Sequence, residues 1–112
     1  MHNEVTIRPG TSTDIPAIRN VALVCWPIAY HEIISGEQIS YMLDLMYSEE
    51  SLRRQIEQDG HRFFLAMANG QCVGYASIGR MGIDRSKLHK LYVLPETKGT
   101  GVGGLLIRHV IQ

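Results

Sequence analysis

The chain of 112 residues has no excess of charge of either sign and no long hydrophobic run. Its eleven basic and eleven acidic side chains balance, so no net field draws it to nucleic acid or to an anionic membrane. The longest mostly apolar stretch, VALVCWPIAY, contains Pro27 and is far shorter than the roughly 18 residues that a membrane helix needs. The first residues, MHNEVTIRPG, lack the basic start and apolar core of a signal peptide. These absences predict a soluble cytoplasmic protein with neither nucleic acid nor membrane as partner.

Cysteine and metal-binding patterns are also scarce. The two cysteines, Cys25 and Cys72, stand far apart among apolar residues, which favours buried thiols over a redox centre. The five histidines fall in separate segments without HxH or HExxH spacing, and no GxSxG is present. We therefore expect no metal site and no serine-hydrolase centre.

The first half of the chain is predicted to hold one strand and three helices. VTIRP, from Val5 to Pro9, alternates apolar and polar residues like a strand. Pro27 is expected to end or kink the first helix, so that Trp26 to His31 form an aromatic connector. Helix starts are indicated by residues that commonly cap helices: Thr11 with Asp14, Ser35 with Gln38, and Ser48.

The second half is strand-rich. HRFFLAMA and QCVGYASIG flank Asn69 and Gly70, a strong hairpin signal. KLHKLYVLP is the next strand, and an amphipathic helix follows a glycine cluster. That helix is expected to carry Leu105, Leu106, Val110 and Ile111 on one apolar side. The order β-α-α-α-β-β-β-loop-α predicts a single α/β (α+β) domain over residues 1–112, with helices on the faces of a sheet.

The glycine cluster, KGTGVGGLL, is the most informative stretch. It places Gly99, Gly101, Gly103 and Gly104 between a strand and a helix, where glycine is poor for local stability. A helix start offers unpaired backbone N–H groups, and glycines let an anion approach them. The arrangement is typical of a phosphate cradle, although a tight turn with close helix packing is the simpler alternative.

Two common phosphate-binding patterns fit incompletely. A Walker A loop fails because Leu105 and Leu106 occupy the positions of its Lys and Ser/Thr. Gly99, Gly101 and Gly104 match GxGxxG, but PETK separates them from the strand. The acid expected about 20 residues on would lie beyond the last residue. A dinucleotide-dependent oxidoreductase therefore stays open as an alternative.

A third pattern fits better. LYVLPETKGTGVGGLLI resembles the acetyl-CoA-binding motif of the GNAT acetyltransferase superfamily, with Gly101 and Gly103 as its glycines. Lys98 stands where that family prefers Gln or Arg, and it is either a cation near phosphate or a solvated loop lysine. The order of elements also resembles that of the family. The segment YHEIISGEQISYMLDLMYS is similar to the helical region of bacterial polyamine acetyltransferases.

The resemblance implies a mixed, mainly antiparallel sheet and acetyl-CoA as cosubstrate. The backbones of Leu91 and Val93 would pair with the pantetheine arm, and the glycine loop would hold the pyrophosphate. The cofactor-binding residues implied in this way are Leu91, Tyr92, Val93, Lys98, Gly99, Thr100, Gly101, Val102, Gly103 and Gly104.

The catalytic groups are less well marked. Many family members place a glutamate as base where this chain has Lys87, which cannot take that role in its charged form. His89 is predicted to share the strand face of Lys87 and is the candidate base, the alternative being a histidine that only packs. The family's tyrosine acid would lie beyond the last residue, and Tyr92 is expected to be structural.

The acceptor is expected to contact Tyr30, His31 and Glu32, the alternative being surface or packing roles. The resemblance predicts acetyl transfer to a primary amine, with a polyamine favoured. Because the family domain is usually longer, we expect an incomplete domain or a homo-oligomer that covers the last strand's edge. A non-catalytic acyl-CoA-binding or oligomerisation module is the remaining alternative.

Overall fold

The computed structural model describes residues 5–80, 86–97 and 101–110 and confirms the predicted order of elements. Short 3-10 turns at Ser12–Asp14 and Pro95–Thr97 precede the first helix and follow the last strand. The strands and helices are β1 (Val5–Pro9), α1 (Ile15–Tyr30), α2 (Gly36–Tyr47), α3 (Glu49–Glu57), β2 (Arg62–Ala68), β3 (Gln71–Arg80), β4 (Ser86–Val93) and α4 (Val102–Val110).

The four strands form one sheet in the order β1-β2-β3-β4, and each neighbouring pair is antiparallel. Asn69 and Gly70 join β2 to β3 with φ angles of 54° and 76°. Positive φ at both central residues matches the right-handed twist of the two strands, which confirms the predicted hairpin. Among the described strands β4 is last in the order, so one of its edges carries no strand partner there.

The predicted caps at Ser35 and Ser48 are present, and the Thr11–Asp14 pair caps the 3-10 turn that precedes α1. The Thr11 amide donates to Asp14 Oδ2 at 2.9 Å. Gln38 N donates to Ser35 Oγ at 3.1 Å, and Ser35 N donates back to Gln38 Oε1 at 3.0 Å. The Ser48 hydroxyl accepts from the first turn of α3. These short-range bonds satisfy backbone donors that a helix start leaves unpaired.

The predicted aromatic connector from Trp26 to His31 was wrong. The helix α1 continues through Pro27 to Tyr30, so the aromatic residues assigned to a connector are helical. Proline removes one backbone donor, but the next turn closes because His31 N donates to the Pro27 carbonyl at 3.0 Å. Trp26 is buried, and its ring centroid lies 4.6 Å from that of Tyr30. Burial and ring contact hold the last turn together despite the missing bond.

Two hydrophobic cores lie on opposite faces of the sheet. The helices α1, α2 and α3 cover one face, where Ile18, Leu52 and Leu65 are fully buried. The helix α4 covers the other face with Val102 and Leu106, and Val110 packs beside them. Sheet residues of this second core are Phe64, Ala66, Val73, Ala76 and Ile78.

The expected inner face of α4 was partly wrong. Leu105 is 37% exposed, whereas Val102 and Leu106 are buried. A helix on a flat sheet buries a narrow stripe with a spacing of four residues, and Leu105 lies outside that stripe. Ile111 lies outside the described residues. None of the described helices is long and apolar enough to cross a membrane.

Candidate functional site

The glycine cluster ends at the start of α4, and a Cβ would fit at each of its described glycines without a close contact. Gly101 has a φ of +87°, and its carbonyl accepts the first helical bond, from Leu105 N at 3.0 Å. A Cβ placed on Gly101 would meet no atom within 4 Å. On Gly103 the nearest atom would be 3.9 Å away, on the Val93 side chain, and on Gly104 it would be 3.7 Å away, on Arg108.

Glycines elsewhere in the fold are different. A Cβ on Gly74 would lie 2.9 Å from the Tyr92 carbonyl oxygen, so close internal packing accounts for glycine there. No such contact accounts for Gly103 or Gly104, although glycine costs about 1 kcal/mol relative to alanine inside a helix. The internal packing of the described residues therefore leaves these two glycines unexplained. An external group that approaches the backbone would explain them.

The chemistry offered at this point is that of an anion site. The amides of Val102, Gly103 and Gly104 precede the first intrahelical bond and lie at the positive end of the helix dipole. Val102 is only 2% exposed, so this residue anchors the start of α4 in the core. Three further residues predicted to bind the cofactor, Lys98, Gly99 and Thr100, lie outside the described residues.

The free edge of β4 runs toward the same loop. Leu94 N donates to the Val73 carbonyl of β3 at 2.8 Å. Because the direction of backbone groups alternates along an antiparallel strand, those of Leu91 and Val93 point to the free edge. The Cys25 thiol donates to the Val93 carbonyl at 3.4 Å from α1. The edge thus offers backbone donors and acceptors to an extended ligand.

A small cavity of about 80 Å³ lies beside the end of β4. It is lined by α1 and by the residues that follow the exposed edge. The lining residues are Cys25, Ile28, Ala29, Tyr92, Val93 and Pro95. A slender, largely apolar chain is the kind of group that fits such a space.

A larger groove of about 520 Å³ lies between the end of α1 and α2. Its surface is mostly apolar and aromatic, and its lining residues are Trp26, Tyr30, Ile34, Gln38, Tyr41 and Met42. The Tyr30 hydroxyl lies 3.1 Å from the Tyr92 hydroxyl. Since Tyr92 lines the small cavity, this pair of hydroxyls links the two spaces.

The three predicted acceptor-binding residues are placed differently. Tyr30 ends α1 and lines the groove. His31 Nδ1 lies 3.1 Å from the Pro27 carbonyl oxygen, and His31 Nε2 lies 3.9 Å from Glu32 Oε1. The side chains of His31 and Glu32 are 65% and 86% exposed. Only Tyr30 of the three borders the groove.

Tyr92 is embedded in aromatic rings. Its ring centroid lies 6.3 Å from Trp26 and 5.8 Å from Tyr75. Burial raises the pKa of Tyr92, and the hydrogen bond with Tyr30 raises it further. The phenol therefore stays protonated throughout the neutral range.

His89 lies at an irregularity of β4. Ser77 of β3 faces Lys90 and Ile78 faces Leu88, so His89 is the extra residue of a β-bulge. The side chain of Lys87 lies outside the described residues, so the predicted shared face is not assessed. His89 is exposed, and its ring stacks on His61 with centroids 4.5 Å apart.

Lys90 is half-buried on β4. Its Nζ donates to Gln55 Oε1 at 2.6 Å and lies 5.5 Å and 5.6 Å from the ring centroids of Tyr47 and Phe63. Burial lowers the pKa of Lys90. No sequence pattern indicated the contacts of Lys90 or of His61, because both depend on pairing between distant segments. Within the described residues no group of three His, Cys, Asp or Glu side chains could hold a metal.

Comparison with known proteins finds acetyltransferases among family models, sequence relatives and solved structures. Residues 31–112 match the model of the family described as acetyltransferase (GNAT) domain. Uncharacterized N-acetyltransferases of Mycobacterium bovis and Mycobacterium tuberculosis are 31% identical over 100 residues. This alignment covers 88% of the chain and 64% of the relatives, so the chain spans about two thirds of their length.

Solved structures show the same fold. PaiA N-acetyltransferase from Thermoplasma acidophilum, in complex with coenzyme A, has a TM-score of 0.87 at 24% identity, over 96% of this chain and 70% of that one. N-acetylglutamate synthase from Neisseria gonorrhoeae, complexed with coenzyme A and N-acetyl-glutamate, has a TM-score of 0.66 at 24% identity. That alignment covers 99% of this chain and 22% of the synthase.

Proposed function

Because the chain belongs to the acetyltransferase (GNAT) domain family, we propose that it is the cofactor-binding part of an acetyl-CoA-dependent N-acetyltransferase. In this reaction an amine attacks the thioester carbonyl, a C–N bond forms, the C–S bond breaks and the coenzyme A thiolate takes up a proton. The observation that carries the proposal is the open, glycine-lined start of α4 beside the free edge of β4. The family match does not favour the dinucleotide-dependent oxidoreductase.

The proposed cofactor lies along β4 and ends at α4. Its pyrophosphate accepts hydrogen bonds from the amides of residues 99–104, with Lys98 as a nearby cation. Its pantetheine arm pairs with the outward backbone groups of Leu91 and Val93, beside Tyr92 and the small cavity. The absence of side chains at Gly103 and Gly104, which no close internal contact requires, supports this placement, since side chains there would stand between phosphate and backbone.

Proton transfer is assigned to His89. An amine must lose its proton before it attacks the thioester, and an imidazole accepts a proton near neutral pH. The exposed position of His89 at the β-bulge supports this role. Tyr92 is assigned a packing role, because aromatic rings surround it and its hydroxyl is engaged with Tyr30.

The acceptor is proposed to be a primary amine that enters by the groove between α1 and α2. Sequence resemblance predicts a polyamine. The described lining of the groove contains no carboxylate, and this favours an amine with an apolar or aromatic body, bound through Trp26, Tyr30 and Tyr41. A competition assay with spermidine and phenethylamine separates the two predictions, since each demands the opposite order of kcat/KM.

If the chain forms a homodimer, we propose that the exposed β4 edges of two copies pair with each other. The same edge is assigned to pantetheine, so the two uses exclude each other. Saturating coenzyme A is therefore expected to convert dimers to monomers in sedimentation. An assembly that persists with coenzyme A bound would contradict pairing along this edge.

Calorimetric titration of the chain with coenzyme A, with NAD as the comparison ligand, tests the proposed cofactor. We expect heat of binding with coenzyme A alone. Binding of NAD instead would contradict the acetyltransferase assignment. Coenzyme A binding without acetyl transfer to any amine, in a protein that spans the full length of the relatives, would identify a non-catalytic binding module.

A further inference from the structure

A pair of stacked imidazoles lies where β4 bulges toward β3. The rings of His61 and His89 are 4.5 Å apart with planes inclined by 13°. The His89 ring also lies directly over Gly79 of β3. A Cβ on Gly79 would overlap His89 Nε2 and lie 2.8 Å from its Cδ2. Any residue larger than glycine at position 79 would therefore displace the His89 ring.

The His61 side of the pair is fixed by α3. His61 N donates to the Gln55 carbonyl at 2.9 Å, and the Gln55 side chain accepts from Lys90 Nζ at 2.6 Å. Within the described residues, His61 Nδ1 is buried without a hydrogen-bond partner. The charged groups that act on His61 there are His89, Lys90 and Asp59.

We propose that Gly79 and His61 are positioning residues that hold the His89 imidazole in one orientation and restrict the stacked pair to a single proton. Gly79 leaves the space in which the ring lies, and His61 supplies the flat surface that fixes its plane. The proposal extends the role of His89 as base, and so rests on the proposed function in that respect. The ring arrangement itself is independent of any cofactor.

Electrostatic repulsion explains why the stacked pair holds only one proton at a time. Two imidazolium rings stacked face to face repel each other, so the pair titrates as a unit. Burial lowers the pKa of His61, the charges of His89 and Lys90 lower it further, and Asp59 raises it. A proton on His61 is therefore disfavoured. Because protonation of His61 is disfavoured in this way, the amine proton is directed to His89.

Proton NMR of the imidazole Cε1–H groups tests the pair directly. In the unaltered chain we expect a nuclear Overhauser effect between the two rings and an apparent pKa of His61 below that of an ordinary histidine. Gly79→Ala should abolish the ring contact and raise the pKa of His61. Gly36→Ala is the matched control, because a Cβ on Gly36 meets no atom within 4 Å and both signals should persist.

A second variant does not disturb the backbone. His89→Gln removes the neighbouring charge, so the pKa of His61 should rise relative to the unaltered chain. An unchanged pKa of His61 in this variant, or the absence of a ring-to-ring signal in the unaltered chain, would overturn the proposal.

Coenzyme A calorimetry on the same samples separates this inference from the proposed function. Coupled titration without cofactor binding would leave the pair established and the acetyltransferase assignment wrong. Cofactor binding with independent titration of the two rings would support the acetyltransferase assignment and refute the coupled pair. Either result decides the pair.

Discussion

Replacement of Gly103 by aspartate should separate anion binding from fold stability. A Cβ at this position would come no closer than 3.9 Å to another atom, so the side chain fits without rearrangement. It would add a negative charge in the first turn of α4, where the helix dipole favours one by about 0.3–1 kcal/mol. Loss of glycine from a helix is also favourable. We therefore expect unchanged or higher stability to urea.

The same charge should oppose a bound pyrophosphate. One pair of like unit charges about 5 Å apart repels by roughly 3 kcal/mol at an effective dielectric constant of about 20. That corresponds to a Kd raised by about a hundredfold, and the loss should shrink as salt is added. Calorimetry with coenzyme A at two salt concentrations measures both effects.

Two control variants isolate the charge at Gly103. Gly103→Ala adds bulk without charge and should weaken binding less than the aspartate. Gly36→Asp places the same charge at the start of α2, where a Cβ meets no atom within 4 Å, and should leave binding intact. Equal affinity of the Gly103→Asp chain and the unaltered chain for coenzyme A would refute the assignment of the anion site to α4.

Three further outcomes test the core, an ion pair and the proposed base. Leu106→Ala should lower the free energy of unfolding by about 2–5 kcal/mol, because Leu106 is fully buried between α4 and the sheet; a loss below about 1 kcal/mol in urea denaturation would contradict this packing. The Arg8 guanidinium, 2.7 Å from Asp14, lowers the pKa of Asp14 to about 2, so its stabilisation is present above about pH 4 and is lost as pH falls toward 2. Asp14→Asn should remove that part of the acid dependence of the melting temperature, and an unchanged profile would count against the pair. His89→Ala should lower kcat by about a hundredfold or more in a protein that spans the full length of the relatives, and unchanged turnover at saturating acetyl-CoA would exclude His89 as base.

Sequence alone determined the features that depend on near neighbours. The caps at Ser35 and Ser48 were predictable because their hydrogen bonds span three residues. The hairpin at Asn69 and Gly70 was predictable because its turn needs residues that tolerate positive φ. The glycine cluster was recognisable for a similar reason. Glycine lowers the stability of a helix start, so a cluster of glycines there indicates that another group approaches the backbone.

Only the tertiary structure decided the features that depend on distant partners. The helix α1 passes through Pro27 because packing of Trp26 and Tyr30 outweighs one missing backbone bond. The stacking of His61 on His89 follows from the bulge in the register of β3 and β4 and from the space above Gly79. Alternation along one strand cannot reveal such contacts, because a single extra residue changes which side chains share a face. The placement of the candidate base was therefore fixed by the pairing of the strands.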